Sequence, residues 1–418
     1  MSRLRFASVI ALSSTLGCAS TYVPNELPPP RDFSATAPPD MASGSGGNGG
    51  GDVDLAASGN DLAIPGATDL ATAAPGDLAP ACFAAADDGG LTPTLYLAAP
   101  AGASLFAARL RGGNWTALPP AGAAVDDVAL ATVAGRPLLA ARLHDATLAA
   151  ARFDDCRGTF APLAQIQPAA STAARPAFVG GAGGDLIFRG AVNGDQRYFW
   201  SHFDGVSWSA IATEGNFLST LTPSALRTGG ALHAVFAGTD SNLWDGVVQP
   251  SGGTATQLTG NTSSLAPAAT ATSDGKLHVV YTGTNHHLYW FVATAPSLVH
   301  DLCDGQPAGC YIVTDAAPTV GLAADGAPLA LFHGTDGKLY ATRLAAAQWS
   351  APVALTGGDT TSLPPALASG SGSLADVVYV RDGDKLARHV QLTAGGWQPA
   401  VTVGATALSG APALTAVP

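Results

Sequence analysis

Three short segments of the chain repeat one pattern, in which an acidic or amide side chain stands four residues before an aromatic one. They read FAGTDSNLW, YTGTNHHLY and FHGTDGKLY, at residues 236–244, 281–289 and 332–340. A repeated Asp could act as an acid or base, bind a ligand, or fold the chain into a turn. The second copy carries Asn285, which preserves a turn and removes the carboxylate that acid catalysis needs. The pattern therefore predicts turns at Asp240 and Asp336, and the rings become the better ligand candidates.

Other signatures of catalysis are absent from the sequence. It contains no HExxH motif, no GxSxG elbow and no complete phosphate-binding loop. Glycoside hydrolysis usually needs two carboxyl groups, yet Glu214 is the only Glu in the part expected to fold, and most Asp residues stand in turn contexts. We expect no enzyme activity, no catalytic residue, no cofactor and no metal site. A glycosidase that uses Asp residues is the less favoured alternative.

The rings and turns belong to a repeat of about 47 residues. Its later units begin at a proline motif, found at Pro176, Pro223, Pro267, Pro318, Pro365 and Pro412. Each unit carries four short apolar runs separated by turns, which is typical of a propeller blade. The fourth run often opens with an aromatic residue, at Trp115, Phe160, Trp208, Trp349 and Trp397, and we expect the last three of these to pack between blades.

The two ends of the repeat predict how the ring closes. The first unit contains three runs, and the segment Ala411–Val417 is a lone first strand with nothing after it. Joining the two gives an all-β, seven-bladed propeller of four-stranded antiparallel blades, closed by the C-terminal strand. Such closure leaves no free edge strand to aggregate.

The N-terminal segment predicts export. Residues 1–17 combine a basic start with a short apolar stretch, as in a signal peptide. The sequence TLGC at 15–18 resembles the lipobox of bacterial lipoproteins, which implies lipidation of Cys18; an ordinary cleaved signal peptide is the alternative. Ala19 after the cysteine implies the outer membrane, with periplasmic or surface display. Membrane attachment would be through the lipid alone.

Two further regions follow the signal. Residues 18–81 are rich in Gly, Pro and Asp-Leu-Ala and predict a disordered tether, and residues 82–418 form the predicted propeller. Four cysteines fall in this last region, at Cys82, Cys156, Cys303 and Cys310. Because disulfides persist in exported chains, we expect the first to pair with the second and the third with the fourth. Metal binding is the alternative, but no His stands at ligand spacing.

Charge narrows the class of partner. The chain carries a net charge of −12 and no basic stripe. Nucleic acid is therefore not an expected partner, because affinity for it depends on neutralised phosphates.

The repeat as a whole resembles the seven-bladed bacterial lectins of the Photorhabdus fucose-binding type and, more loosely, tectonin-type propellers. The similar text lies within residues 203–211, 223–244 and 318–355, and the resemblance covers roughly residues 94–418. It implies shallow pockets between blades where a monosaccharide stacks on a ring. The aromatic residues that could serve on third strands are Trp200, Trp244, Tyr289, Trp290 and Tyr340.

The sequence thus favours a membrane-anchored, extracytoplasmic propeller that binds carbohydrate without catalysis. The alternative is a protein-interaction scaffold of the cell envelope that uses a face of the same fold. The expected partner is accordingly a glycan or an envelope protein.

Overall fold

A computed structural model describes residues 93–120, 122–168, 170–191, 194–302, 312–370 and 372–418. The predicted signal peptide, the predicted tether, the predicted lipidation site Cys18 and three of the other cysteines lie outside these residues. The described part of the chain contains 31 strands and no α-helix, and accordingly no helix there has the length and hydropathy to cross a membrane.

The strands form seven antiparallel sheets, numbered here as blades 1–7, with each blade given from its inner to its outer strand. Blade 1 contains β31 (Ala413–Val417), β1 (Thr94–Ala101), β2 (Ser104–Arg111) and β3 (Asn114–Ala117). Blade 2 contains β4 (Val125–Val133), β5 (Arg136–Leu143), β6 (Leu148–Asp154), β7 (Thr159–Phe160) and β8 (Ala164–Gln165). Blade 3 contains β9 (Ala177–Val179), β10 (Gly184–Arg189), β11 (Arg197–Phe203) and β12 (Ala212–Leu218). Blade 4 contains β13 (Ser224–Thr228), β14 (Ala231–Ala237), β15 (Asn242–Val248) and β16 (Thr254–Thr262).

The remaining three blades follow the same order. Blade 5 contains β17 (Ala268–Ala271), β18 (Leu277–Thr282), β19 (Leu288–Val292) and β20 (His300–Asp301). Blade 6 contains β21 (Thr319–Leu322), β22 (Pro328–His333), β23 (Leu339–Ala345), β24 (Gln348–Trp349) and β25 (Val353–Ala354). Blade 7 contains β26 (Ala366–Ala368), β27 (Ala375–Val380), β28 (Ala387–Thr393), β29 (Gly396–Trp397) and β30 (Val401–Val403). In blades 2, 6 and 7 the outer strand is split into two short pieces that both pair with the third strand.

The ring closes through the last strand. β31 pairs antiparallel with β1, from Thr94 opposite Val417 to Ala98 opposite Ala413. Each inner strand contacts the next around the ring, and β31 itself contacts both β4 and β26. The predicted seven-bladed propeller, with its C-terminal closure, is confirmed.

The apolar core lies between neighbouring blades. Every residue of β18 and β27 is buried, because both faces of a second strand are covered by the adjoining sheets. Blade 3 packs against blade 4 through Ile187, Tyr198 and Phe236. The outer-strand aromatics contribute as predicted at Trp349, which is 2% exposed and meets Trp290 of blade 5 edge to face.

Candidate functional site

A pocket of about 470 Å³ lies between blades 3 and 4. Trp200 and His202 line it from β11, and Asp185 lines it from β10. Residues two apart on a strand share a face, so the indole and the imidazole stand side by side, with ring centroids 6.2 Å apart. Blade 4 supplies the opposite wall, including Arg227 at the end of β13. Of the aromatics that the sequence selected, Trp200 is the one placed here.

Asp185 organises the polar side of this pocket. Its side chain is fully buried, and it accepts hydrogen bonds from Trp200 Nε1 at 3.2 Å and from His202 Nδ1 at 2.9 Å. Arg227 of the next blade donates to Asp185 Oδ2 from Nε at 2.9 Å and from Nη2 at 2.5 Å. One carboxylate therefore fixes an indole, an imidazole and a guanidinium. Gly183 makes room for this arrangement, because a Cβ there would lie 2.6 Å from the His202 ring.

The groups around Asp185 leave a donor and an acceptor available to a ligand. The guanidinium uses Nε and one terminal nitrogen on Asp185, so its other edge is uncommitted among the described residues. A carboxylate only accepts, so His202 Nδ1 carries the proton of that contact and Nε2 of the neutral ring can accept. Arg227 and His202 keep 43% and 35% of their side-chain surface exposed. The pocket thus combines a ring face, a donor and an acceptor.

The same repeat positions form a closed counterpart in blade 7. Asp376 corresponds to Asp185, and His389 and Gln391 stand opposite β27 where Trp200 and His202 stand opposite β10. Asp376 accepts from His389 Nε2 at 2.9 Å and from Gln391 Nε2 at 3.0 Å. It also accepts from Ser373 Oγ at 2.5 Å.

A ring of the neighbouring blade covers this counterpart. Trp115 of blade 1 donates from Nε1 to His389 Nδ1 at 3.1 Å. His389 is 2% exposed and Asp376 is fully buried. The polar framework is therefore present in blade 7, but its imidazole and its carboxylate are closed off from solvent.

The repeated motif from the sequence forms a second set of sites at the turns between second and third strands. Asp240 Oδ1 accepts from the backbone N of Asn242 at 3.0 Å and from Trp244 Nε1 at 3.3 Å. Tyr340 donates its hydroxyl to Asp336 Oδ2 at 2.9 Å. The turn prediction agrees with these contacts, which also show that the turn residue holds the ring four positions on.

The same turn recurs with different partners around the ring. Its Asp or Asn accepts from the backbone N two residues later in six blades, at Asp145, Asp195, Asp240, Asn285, Asp336 and Asp384. In blade 5, Asn285 Nδ2 donates to the Tyr289 hydroxyl at 2.7 Å. In blade 7, Arg388 takes the ring position and pairs with Asp384 at 3.2 Å. The ring of the repeat is therefore replaced in blade 7 by a cation at 388.

The glycine of the motif has a steric reason. A Cβ at Gly238 would lie 2.6 Å from Asp240 Oδ1 and 2.8 Å from Trp244 Nε1. Gly334 has the same relation to Asp336 and Tyr340, at 2.7 Å from each. The aromatic ring of the motif thus lies directly on the glycine backbone, which leaves one of its faces covered.

These turns also shift acidity. Burial acts to raise the pKa of Asp240, but the hydrogen bonds from Asn242 and Trp244 outweigh it and lower that pKa below its ordinary value. Asp336 behaves alike, since its bonds from Lys338 and Tyr340 lower the pKa against burial. The carboxylates at these turns are therefore held ionised, as hydrogen-bond acceptors.

The five selected aromatics occupy two faces of their sheets. Trp244, Tyr289 and Tyr340 stand opposite a second-strand aromatic, whereas Trp200 stands one pleat away, opposite Ile187. Trp290, the neighbour of Tyr289, shares the face of Trp200 but is 8% exposed. It stacks between two imidazoles, with its ring 6.0 Å from that of His278 and 5.3 Å from that of His300. The structure places Trp290 in the core between blades 5 and 6.

Two further pockets accompany the second set. Trp244 and Asp240 line one of about 510 Å³ together with residues of β12, and Tyr340 and Asp336 line one of about 330 Å³. Both lie at the end of the ring that carries these turns, opposite the end where Arg227 stands. The structure therefore does not bring the five aromatics together in one site.

Glu214 is the one glutamate in the predicted propeller, and it is buried on β12. Burial raises its pKa, against the hydrogen bonds that it accepts from the backbone of Gln249 and Gly253. Its Oε1 has no hydrogen-bond partner within the part of the chain that the structure describes. It lies behind the Trp200 pocket, which Gln249 lines, and is not part of the pocket wall.

The described residues contain no candidate metal centre, and they include only one of the four cysteines predicted to form disulfides. They contain no group of three or more His, Cys, Asp and Glu side chains that could hold a metal ion. Cys156 is disulfide-bonded, while Cys82, Cys303 and Cys310 lie outside the described residues. Both predicted pairings stay predictions.

Comparison with known proteins finds likeness only in structure. No protein-family model matches the chain, and no curated protein matches it. A lectin of Aleuria aurantia in complex with Fucα1-6GlcNAc is 14% identical with a TM-score of 0.44, over 68% of this chain and 98% of the lectin. SapL1 lectin in complex with α-methyl fucoside is 14% identical with a TM-score of 0.46, over 68% and 96%.

A hydrolase appears among the similar structures as well. A puromycin hydrolase mutant is 18% identical with a TM-score of 0.49, over 76% of this chain and 52% of the hydrolase. Another structure, of a fungal lectin described as a six-bladed β-propeller, is 15% identical with a TM-score of 0.43, over 68% of this chain and 98% of the lectin. The described part of this chain forms seven sheets. These similarities assign no family to the chain.

Proposed function

We propose that this protein binds carbohydrate without catalysis, in the pocket between blades 3 and 4. The observation that carries the proposal is the buried Asp185 carboxylate, which holds Trp200, His202 and Arg227 around one opening. Binding sites typically combine an apolar wall with a few fixed polar groups, and this pocket does so. Such preorganisation reduces the entropy that a ligand would otherwise have to overcome.

The chemistry of the opening matches a sugar ring. The C–H face of a pyranose packs on an aromatic face, while its hydroxyls require both donors and acceptors. The free edge of Arg227 can donate to one hydroxyl, and His202 Nε2 can accept from its neighbour. Asp185 neutralises the guanidinium, so a neutral sugar fits this pocket better than an acidic one.

The arrangement does not supply the groups of a glycosidase. Asp185 is the only acidic residue among the described ones that line the pocket. Both of its oxygens accept hydrogen bonds, Oδ1 from Trp200 and His202 and Oδ2 from Arg227. A hydrolase would need a second carboxyl group roughly 5–10 Å away, across the scissile bond.

We also propose that the domain is presented outside the cytoplasm on a lipid anchor at Cys18, through the tether of residues 18–81. This location rests on the sequence alone. A glycan of the cell surface or its surroundings is then the partner. Metabolic labelling with palmitate, lost in Cys18→Ser, tests the anchor.

The binding proposal is tested by applying the full chain to a glycan array and then titrating the best neutral methyl glycosides by calorimetry. Arg227→Ala removes a charge-assisted donor worth about 1.5–3 kcal/mol, which predicts about 10- to 100-fold weaker binding. Trp200→Ala is expected to weaken binding by at least as much, because it removes the stacking surface.

Trp244→Ala is the matched control, since it deletes an indole of the same blade pair at the opposite end of the ring. It should leave the affinity of this pocket unchanged. The proposal fails if folded protein binds no sugar, or if the three variants affect binding equally.

A further inference from the structure

The inner strands of all seven blades surround a central cavity of about 350 Å³. Its wall is built from the proline motifs of the repeat together with small and apolar side chains, such as Ala129, Ala268 and Val320. Arg175 is the only charged residue among the described ones that line it. We propose that this cavity binds a small organic carboxylate through the guanidinium of Arg175.

The sequence repeat shows that the charge is specific to one blade. Arg175 stands directly before the proline of blade 3. The corresponding residues of the later units are small or apolar, namely Thr222, Ala266, Ala317, Pro364 and Ala411. The strand and its packing therefore do not require a long cation at this position, since five other blades are built without one.

One edge of the guanidinium is used by the protein and the other is not. Arg175 donates from Nε to the carbonyl of Val128 and from Nη2 to the carbonyl of Pro412, both at 2.8 Å. These bonds hold the plane of the group between blades 2 and 1. Nη1 and the second hydrogen of Nη2 have no acceptor among the described residues, and they form the edge that a carboxylate can bridge with two parallel bonds.

No carboxylate among the described residues fills that role. Burial lowers the pKa of Arg175, opposed by the charge of Asp127, but an arginine remains protonated in proteins. Asp127 itself is paired with Arg142, at 2.8 Å from Nε and 2.6 Å from Nη2. The cavity therefore holds a positive charge that no carboxylate of the described residues approaches to hydrogen-bond distance, in a chain whose net charge is −12.

The size and lining of the cavity set the class of ligand. Its volume lies at the lower end of the range of small-molecule sites. The prolines and alanines offer apolar contact, and the Thr319 hydroxyl in the wall has no hydrogen-bond partner among the described residues. A carboxylate carried on a short apolar body satisfies all three features.

The test uses the full chain with sodium butyrate as the probe and butyramide, its neutral isostere, as the control. Saturation-transfer NMR should show transfer to butyrate and not to butyramide. Arg175→Gln should weaken butyrate binding at least tenfold. Arg175→Lys retains the charge but not the planar edge, so its affinity for butyrate should lie between those of the wild type and Arg175→Gln. Transfer that is equal for both probes, or unchanged in Arg175→Gln, would overturn the proposal.

Because Arg175 also bonds to two carbonyls, its variants could unfold, so a second measurement uses the wild-type protein. Nuclear Overhauser contacts are expected between butyrate protons and the side chains of Arg175 and Thr319. Contacts elsewhere on the protein, or no binding by folded protein, would contradict a site in the central cavity. Neither outcome depends on whether the pocket of Trp200 binds sugar.

Discussion

Blades 3 and 7 carry the same polar framework, but it lines an open pocket in blade 3 and is buried in blade 7. In each, an Asp on the second strand bonds to two side chains of the third strand, as Asp185 does with Trp200 and His202 and Asp376 does with His389 and Gln391. The difference comes from the following blade, which contributes Arg227 in one case and Trp115 in the other.

The comparison shows that a site in this fold is made by two blades together. Arg227 reaches Asp185 along the edge of the pocket and leaves an opening of about 470 Å³. Trp115 instead covers His389, which keeps only 2% of its surface exposed. The same polar framework within one repeat therefore does not by itself leave an open pocket.

The largest expected difference concerns the two acids. Asp376→Ala leaves three donors around a fully buried position without an acceptor, and we expect a loss of about 3 kcal/mol of unfolding free energy. Asp185→Ala should lose about 1 kcal/mol, because its partners can reach water in the pocket. Equilibrium urea unfolding measures both. Equal losses would mean that the two frameworks do not differ in hydration.

The next effect concerns the covering ring. Trp115→Ala removes the donor to His389 Nδ1 and opens a space over it, which should cost about 2 kcal/mol. The imidazole of His389 should also become accessible to modification by diethyl pyrocarbonate, as we expect of His202, whose side chain is 35% exposed. Arg227→Ala is the matched control at the open site and should cost less than about 1 kcal/mol. A His389 that stays protected would show that Trp115 does not close the site.

A smaller effect separates the pocket from the acid behind it. Because burial raises the pKa of Glu214, the folded state binds more protons than the unfolded state above the ordinary pKa of about 4.3. Ionisation of Glu214 therefore lowers the free energy of unfolding as pH rises from the unfolded-state pKa towards the raised pKa of the folded state. Glu214→Gln should gain stability relative to the wild type between pH 4 and pH 7. Urea unfolding as a function of pH checks this, and a difference independent of pH would contradict it.

The smallest effect concerns the turns. Asp240→Asn should change stability by less than about 0.5 kcal/mol at pH 7, because Asn285 makes the same turn in blade 5. Asp240→Ala should cost about 1 kcal/mol. The lowered pKa of Asp240 contributes stability above its unfolded value of about 3.9, which is lost as pH falls through the folded value. Asn does not titrate and so lacks this pH dependence. As pH falls, the wild type should therefore lose more stability than Asp240→Asn, which acid unfolding measures.

The fold could be predicted because it is repeated. The proline motif recurs often enough to count the blades, and the lone final strand identified the closure that β31 makes with β1. The turns at Asp240 and Asp336 were accessible for the same reason, since the variant copy with Asn285 showed which property each position must retain.

The pocket could be predicted only in part from the sequence, because its residues are not part of the repeat. Trp200 was predicted as a ligand-binding ring, whereas Asp185, His202 and Arg227 were not predicted. These three residues come from blade 3 and the start of blade 4, and their combination is not part of the repeat. Arg227 lies 42 residues after Asp185, so their pairing depends on how two sheets stack. A usable signal was the spacing of Trp200 and His202, which places both on one face of a strand. The adjacent pair Tyr289 and Trp290 carried the reverse signal, since neighbours point to opposite faces.

The pairing of β31 with β1 also sets the order of events during synthesis. Thr94 cannot meet Val417 until the intervening blades have emerged from the ribosome. Ring closure is then the contact with the longest chain separation, and it carries the largest loop-closure entropy. A chain that is truncated before residue 413 keeps the inner edge of blade 1 unpaired and exposed. The last strand therefore protects blade 1 from edge-to-edge aggregation, because its pairing with β1 hides the inner edge of that sheet.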